Sequence, residues 1–358
     1  MLFKTMRYLL FLSLQLCSLS IIGQHSNIGQ RVARGHLPVV VADSKGILHL
    51  VYGQDSTIYY AIASEKSIPF NKAVVVGTLP HLVAGAKRGP QMAVTEKYIV
   101  ITAVNREGDV FAYSLDRQSG KWSPAVRIND VPEIAKEGFQ AVAGASTGTF
   151  HTTWLDLRDD KRNKLAMATS HDGGRTWSAN RVVYRSPDGT VCECCKVSVA
   201  ANQNEVYIQF RNWLGGSRDL YLVHSADGGV TFDSAQKMGT GTWKLNACPM
   251  DGGAVILTTN SSKPTQPLTV WRRENTLYTC RPGEPEQAVA TGRNVTAATS
   301  PSGTALAWDE GGTVWLKASN RTPVPLGKGM IPSVAIGKQG AVCVWEDDGQ
   351  VMMDIVQL

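Results

Sequence analysis

Acids and arginines follow aromatic runs at several places where they could work on a polar ligand. Trp154-Leu-Asp156-Leu-Arg158 sets a carboxyl two residues from a guanidinium, and Phe210-Arg211-Asn-Trp213 sets a second guanidinium beside an indole. A carboxyl in such a place can donate or take a proton, and a planar guanidinium can clamp a carboxylate. Trp213 and Trp243 would offer stacking faces. Asp309 and Glu310 after Trp308, and Glu346, Asp347 and Asp348 after Trp345, add further acids, while His36, His81 and Tyr52 are weaker candidates for the same region. Glycoside hydrolysis uses two carboxyls about 5–10 Å apart. The same charges could equally brace neighbouring strands as ion pairs, as the Arg218-Asp219 step suggests.

A second chemistry is written in sulfur. Cys192-Glu-Cys194-Cys195 and, further on, Cys248-Pro249 each precede an expected first strand in adjacent structural units, so four sulfurs should meet. In an oxidising compartment the first expectation is two disulfides. Cys194 should pair away from its neighbour Cys195, with Cys248 a candidate partner for either. A thiolate site for zinc or copper, using Cys192, Cys194, Cys195 and Cys248, is the alternative. No metal or other cofactor is expected on the disulfide reading. Cys280 and Cys343 fall in strands and should be buried thiols.

The elements that must position these groups are strands. The chain shows short alternating runs rich in Val, Ile, Thr and Trp, cut by Gly, Asp and Asn turns, with almost no helical periodicity. Seven strand pairs recur: Pro38–Tyr52, Pro90–Val104, Phe139–Trp154, Val197–Phe210, Pro249–Thr258, Val295–Trp308 and Pro332–Trp345. Two units carry one octapeptide pattern, Ser170-His-Asp172-Gly-Gly174-Arg-Thr176-Trp177 and Ser225-Ala-Asp227-Gly-Gly229-Val-Thr231-Phe232. Its Asp accepts backbone N–H groups, its Gly turns, and its aromatic staples the next strand. Degenerate copies stand at Ala63–Phe70 and Ser114–Trp122.

This octapeptide resembles the Asp-box of sialidases and other bacterial neuraminidase repeat proteins. The resemblance implies an all-β propeller of four-stranded blades, with the box joining the third and fourth strands on the face away from the active site. Seven blades fit the strand pairs; six is the family's usual number. An orphan strand at Gln30–Gly35 is expected to complete the last blade and close the ring, leaving no open edge. The family would make the protein a glycan-active hydrolase taking a polar or acidic sugar. A glycan- or protein-binding propeller without catalysis, and a metal or redox module built on the cysteines, are the alternatives. The catalytic pattern departs from the family's: its Arg-Ile-Pro motif in the first blade is His36-Leu-Pro38-Val here, and its arginine triad and Tyr/Glu pair have no counterpart that aligns. The Cys-Glu-Cys-Cys run with its later Cys-Pro step looks like the mark of an exported subfamily.

If the boxes mark one face, the other carries the links from second to third strands and from blade to blade. Asp156–Asn163, Arg211–Arg218, Thr259–Gln266, Thr78–Gly89, Val131–Gly138 and Ser186–Lys196 are long and polar, and long loops on a rigid scaffold usually carry function. On this reading Asp156 is the acid or base, Arg211 and Arg158 are anion or hydroxyl clamps, and Trp213, Trp243, Asp309 and Glu346 hold substrate. Asp156 and Arg211 should lie near the central axis.

Composition frames the setting. Residues 1–23 join a basic start, Lys4 and Arg7, to a short apolar run, which reads as a cleaved signal peptide, so residues 24–358 form one exported domain in the periplasm or outside the cell. Cys17 raises lipid anchoring as an alternative, against which Leu16 is bulky. A net charge of +6 is scattered and not clustered, so nucleic acid is not an expected partner, and no run is long enough to span a membrane. A glycan or glycoconjugate is the expected partner of a monomeric protein.

Overall fold

The computed structural model describes residues 29–63, 70–146, 148–260 and 263–358. The signal peptide read at residues 1–23 and positions 64–69 of the degenerate first box lie outside the described residues. Every named element is a strand, and the strands form seven antiparallel sheets arranged as the blades of a propeller. Six blades have four strands; the second has five, because Lys121–Trp122 adds to Val110–Asp116. The first strands of the blades, among them His36–Ala42, Ser198–Asn202 and Arg293–Ser300, line a central channel of 470 Å³.

Each blade is packed between two others, so its middle strands bury both faces and lose the alternation of a half-exposed strand. Phe150–Asp156 is buried at every position. Seven apolar clusters result, one at each boundary between neighbouring blades, such as Leu220, Leu222 and Met238 against Val255 and Trp271. Burying a side chain like Phe150 contributes about 2–3 kcal/mol. The strand Gln30–Arg34 pairs antiparallel with Gln350–Val356, so one blade contains both the first and the last strands described. Its cluster with the first blade joins Leu50 and Tyr52 to Val344 and Val351.

Both octapeptides form the same hairpin between third and fourth strands. Asp172 Oδ1 accepts the N–H groups of Arg175 and Thr176 at 3.1 and 2.9 Å, and Asp227 Oδ1 accepts those of Val230 and Thr231 at 2.9 and 2.8 Å. Gly174 and Gly229 have φ of +88° and +84°, and a Cβ there would meet Val100 or Met167 of the preceding blade at 2.6 or 2.4 Å. Backbone conformation and close approach both demand glycine. In Ser114–Trp122 the Asp116 carboxylate turns the chain through Gln118 and Ser119, so the inserted copy keeps the mechanism.

The fifth blade corrects the expected strand pairing. Its first two strands are Ala254–Asn260 and Lys263–Arg273, not a pair within Pro249–Thr258, so the described residues of the stretch 259–266 belong to these paired strands and not to a link at the mouth. Pro264 and Pro267 made this stretch look unlike a strand. The third strand begins its pairing only at Thr269, so the prolines' missing N–H groups fall where no partner strand runs.

Candidate functional site

The channel opens, on the face away from the boxes, into a mouth built by the links that lead into the first strands. Lys87, Lys196, Met250, Asp251 and Asn294 line it there, above walls of Val and Ala. Lys87 comes from the link into the second blade and reaches across to donate to the Met250 carbonyl, on the link into the fifth, at 2.6 Å. Burial lowers the pKa of the Lys87 ammonium, and burial alone lowers that of Lys196 to about 8.

Asp251 is 3% exposed. Its Oδ2 accepts the Asn294 N–H at 3.0 Å and faces Arg272 Nε at 3.0 Å, while Oδ1 is buried without a hydrogen bond. Asn294 then donates from its side chain to Asp309 Oδ1 at 2.6 Å, and Ile331 N–H gives the same oxygen a second bond at 2.9 Å. One asparagine therefore spans the two carboxyls. Burial raises the Asp309 pKa against the Asn294 and Ile331 hydrogen bonds and the Lys87 charge, and the Asp251 charge adds to the rise. Such a pair can divide labour, one carboxyl serving as acid and the other as base.

The mouth is also a place of unusual backbone. Leu37, Lys87, Met250, Asn294 and Ile331, each just before a first strand or at its start, have φ of 49°, 69°, 51°, 54° and 55°. For a β-branched residue such as Ile331 this is a sterically costly conformation that its surroundings must hold. Three are held the same way, by a carboxylate on their N–H: Glu346 on Leu37 at 3.0 Å, Asp309 on Ile331 and Asp251 on Asn294.

The residues chosen from sequence fall into two groups. Asp309 and Glu346 also stand near the ends of second strands, but each reaches inward to the N–H of a first-strand residue, Ile331 and Leu37; Glu346 also accepts from His36 Nδ1 at 2.9 Å. Asp156 and Arg211 do not reach the axis and do not meet. Both end second strands, one layer outside the first strands that line the channel. Asp156 is wholly buried and takes Trp154 Nε1 at 2.9 Å, Arg158 N–H at 2.9 Å, and Arg158 Nε and Nη2 at 2.7 and 2.9 Å. Arg211 is 2% exposed and spends its guanidinium on three carbonyls, those of Asp251 at 3.0 Å, Arg218 at 2.5 Å and Arg272 at 2.8 Å. Trp243 is buried with the Arg211 and Arg272 guanidinium carbons each 5.1 Å from its ring centre; Trp213 is partly exposed with Arg218 over it at 4.6 Å. In this geometry these groups frame the mouth and are not presented to it. Sequence reasoning missed Lys87, Lys196, Asp251 and Arg272.

The four sulfurs do meet. Cys194 and Cys248 form a disulfide, while Cys192 and Cys195 are buried thiols, as are Cys280 and Cys343. The expected second disulfide is thus open, with the two Sγ atoms 3.3 Å apart and Arg218 Nη1 donating to Cys192 Sγ at 2.9 Å.

No protein-family profile matches this chain, and no curated protein does. Among solved structures it is similar to a Hadza microbial sialidase, Hz136, with 14% identity over 92% of this chain and 68% of that one, TM-score 0.55. The GH93 α-L-arabinofuranosidase of Fusarium graminearum, solved with arabinobiose, gives 11% identity over 92% and 97%, TM-score 0.52. The SapL1 lectin, solved with α-methyl fucoside, gives 12% over 82% and 96%, TM-score 0.51. At these identities the likeness is one of fold, and the fold is that of a seven-bladed β-propeller.

Proposed function

We propose that the channel mouth is a glycan site and that Asp309 and Asp251 are its working carboxyls in a glycosidase. The observation that carries this is the bridged pair itself: Asp309, its pKa raised by burial, and Asp251, set against Arg272 with one oxygen unpartnered, joined by Asn294 at the end of a concave channel. Asp309 Oδ1 takes both hydrogen bonds, which leaves Oδ2 to carry the proton given to a leaving oxygen. Asp251 receives the developing positive charge or activates water. Lys87 and Lys196 favour a sugar with an anionic or strongly polar group. That the solved structures of similar fold include a sialidase, an arabinofuranosidase and a fucoside-binding lectin agrees with a glycan ligand. The basic start and short apolar run of residues 1–23 support a setting outside the cytoplasm.

The reading is tested on a panel of glycans scored both for retention and for released sugar. Asp309→Asn and Asp251→Asn should each lower turnover of any cleaved glycan by about 10²–10⁴-fold with retention little changed. Turnover unaffected by both substitutions would refute it. A second reading, binding without cleavage, is favoured by the Lys87 bridge to Met250, which occupies the mouth. Retention without any released sugar, lost in Lys87→Ala, would select it.

A further inference from the structure

The cysteine cluster lies where three segments converge. Cys192, Cys194 and Cys195 come from the link 185–197 into the fourth blade, Cys248 from the link 238–253 into the fifth, and Arg218 from the link between second and third strands of the fourth blade. The disulfide ties the first two links together. Cys192 Sγ sits 3.7 Å from Cys194 Sγ, in contact with one end of that bond, and 3.3 Å from Cys195 Sγ. Three contacts fix Arg218 on the sulfur. Its guanidinium lies over the Trp213 ring, its Nε donates to the Leu245 carbonyl at 3.3 Å, and its Nη1 donates to Cys192. Cys192 and Cys195 are each 1% exposed, whereas Cys248 lies at the surface.

We infer that these residues form an internal thiol–disulfide exchange centre in which Cys192 is the nucleophile and the Cys194–Cys248 bond can migrate to Cys192–Cys195. The Cys192 thiolate attacks Cys194 Sγ; a Cys192–Cys194 bond forms and the Cys194–Cys248 bond breaks. Cys248 departs as a thiolate at the surface and takes a proton from water, balancing the proton Cys192 gave up. The Cys195 thiolate then attacks Cys192 Sγ, forming the Cys192–Cys195 bond and releasing Cys194, which is protonated in turn. One disulfide and two thiols stand on each side, so no oxidant or reductant is consumed.

The attacking species in such a reaction is the thiolate, and the leaving sulfur must be able to accept charge. Cys192 Sγ touches one end of the disulfide and also receives the Arg218 guanidinium, where a cation favours the thiolate. The first attack therefore belongs to Cys192. Its consequence is mechanical: with the bond on Cys192 and Cys195, the link 238–253 is no longer covalently held to the link 185–197. That freed link carries Met250 and Asp251 to the channel mouth. The exchange itself does not depend on the glycan reading.

The test needs no variant to begin. Full-length protein held at neutral pH without reductant is quenched in acid over time, alkylated with N-ethylmaleimide and digested with trypsin. Cleavage after Arg185 and Lys196 leaves Cys192, Cys194 and Cys195 on one peptide, and cleavage after Lys244 puts Cys248 on another. Two populations are expected: cross-linked peptides, and an unlinked peptide bearing one alkyl group and an internal disulfide beside alkylated Cys248. Arg218→Met should slow the interconversion by about tenfold or more. Cys192→Ser should abolish it while retaining the Cys194–Cys248 cross-link, which also reports that the variant has folded. Cross-linked peptides alone at every time, with Cys192 and Cys195 both alkylated, would overturn the inference. So would protein that carries a stoichiometric metal ion on four reduced cysteines.

Discussion

The rim of the propeller divides into two arcs built on opposite plans. From the fifth blade round to the first, each blade passes to the next through a single glycine, Gly292, Gly329 or Gly35, and second strands turn into third strands directly, as at Glu310–Thr313. From the first blade to the fifth the links are long: 79–90, 128–139, 185–197 and 238–253. The long arc has most of the charge and neutralises it locally, pairing Asp156 with Arg158, Arg185 with Asp159, Lys164 with Asp160 and Arg88 with Glu137. The short arc has few side chains to spare, and its carboxylates serve the main chain instead, at Leu37 and Ile331. Asp251, on the last of the long links, serves it too, at Asn294. Asp251 Oδ1, buried without a hydrogen bond, lies where the two plans meet. Loop length points to the rim, but the carboxylates that hold first-strand N–H groups are what reach the channel mouth.

Asp251 is where the comparison breaks most sharply. Asp251→Ala removes the partner of Arg272, itself 4% exposed, and the acceptor of Asn294 N–H. Leaving a buried guanidinium without its carboxylate costs about 3–5 kcal/mol, to be read from denaturant midpoints at neutral pH. Asp251→Asn keeps an acceptor oxygen for Asn294 but also removes the charge beside Arg272, so it should recover only the share of that hydrogen bond, about 1 kcal/mol. An equal loss for both would mean that the charge, and not the hydrogen bond, holds the short arc to the long one.

On the opposite face the difference between arcs should vanish. His49 in the first blade and His151 in the third occupy matching positions, each the second residue of a second strand, each fully buried. Burial lowers the pKa of both from 6.5 to about 4; Asp43, 3.5 Å from His49, opposes the shift there, while at His151, hydrogen-bonded to Thr169, the His171 charge adds to it. Folded, they are neutral; unfolded, they take up a proton near pH 6.5. Between those values the unfolded chain binds more protons, so stability complete above pH 6.5 falls as the pH drops towards 4, by at most about 3 kcal/mol for each histidine. Unfolding midpoints at pH 7 and 4.5 check this, with His49→Gln and His151→Gln expected to flatten the dependence to similar extents. A dependence confined to one of them would show that the arcs differ on both faces.

The architecture was legible because it is repetitive. Hairpins at Asp172 and Asp227, seven strand pairs and the gathering of four sulfurs all follow from local patterns repeated in register, and the one mispairing came from Pro264 and Pro267. The site was legible only in part. Asp309, Asp156 and Arg211 stood out alike because each stands near the end of a second strand just after an aromatic residue, and only tertiary contacts, such as those of Asn294 and Ile331 on Asp309, tell them apart. Lys87 finds Met250 on a link three blades further round the ring, a contact with no local signature. Asp251 had an available clue. Trp271-Arg272, Trp308-Asp309 and Trp345-Glu346 are the same step in successive blades, and a buried arginine at that step requires an acid nearby.

Two glycines give the finest test of the arcs. Gly329 has φ +142°, and a Cβ there would lie 2.3 Å from Trp345 Cδ1 and 2.5 Å from the Glu346 carbonyl oxygen, while its N–H is bonded to Gly312 O at 2.9 Å. Neither an indole packed at 0% exposure nor a strand carbonyl can retreat, so Gly329→Ala should cost about 2–3 kcal/mol. Gly215, in the long link after Arg211, has φ +58° with no atom within 4 Å of the same position. Gly215→Ala meets only the left-handed backbone penalty, about 1 kcal/mol. Thermal or denaturant unfolding of the two variants side by side measures the difference. Equal losses would mean that the long links are packed as firmly as the glycine steps, and the division of the rim into a rigid arc and an adaptable one would fail.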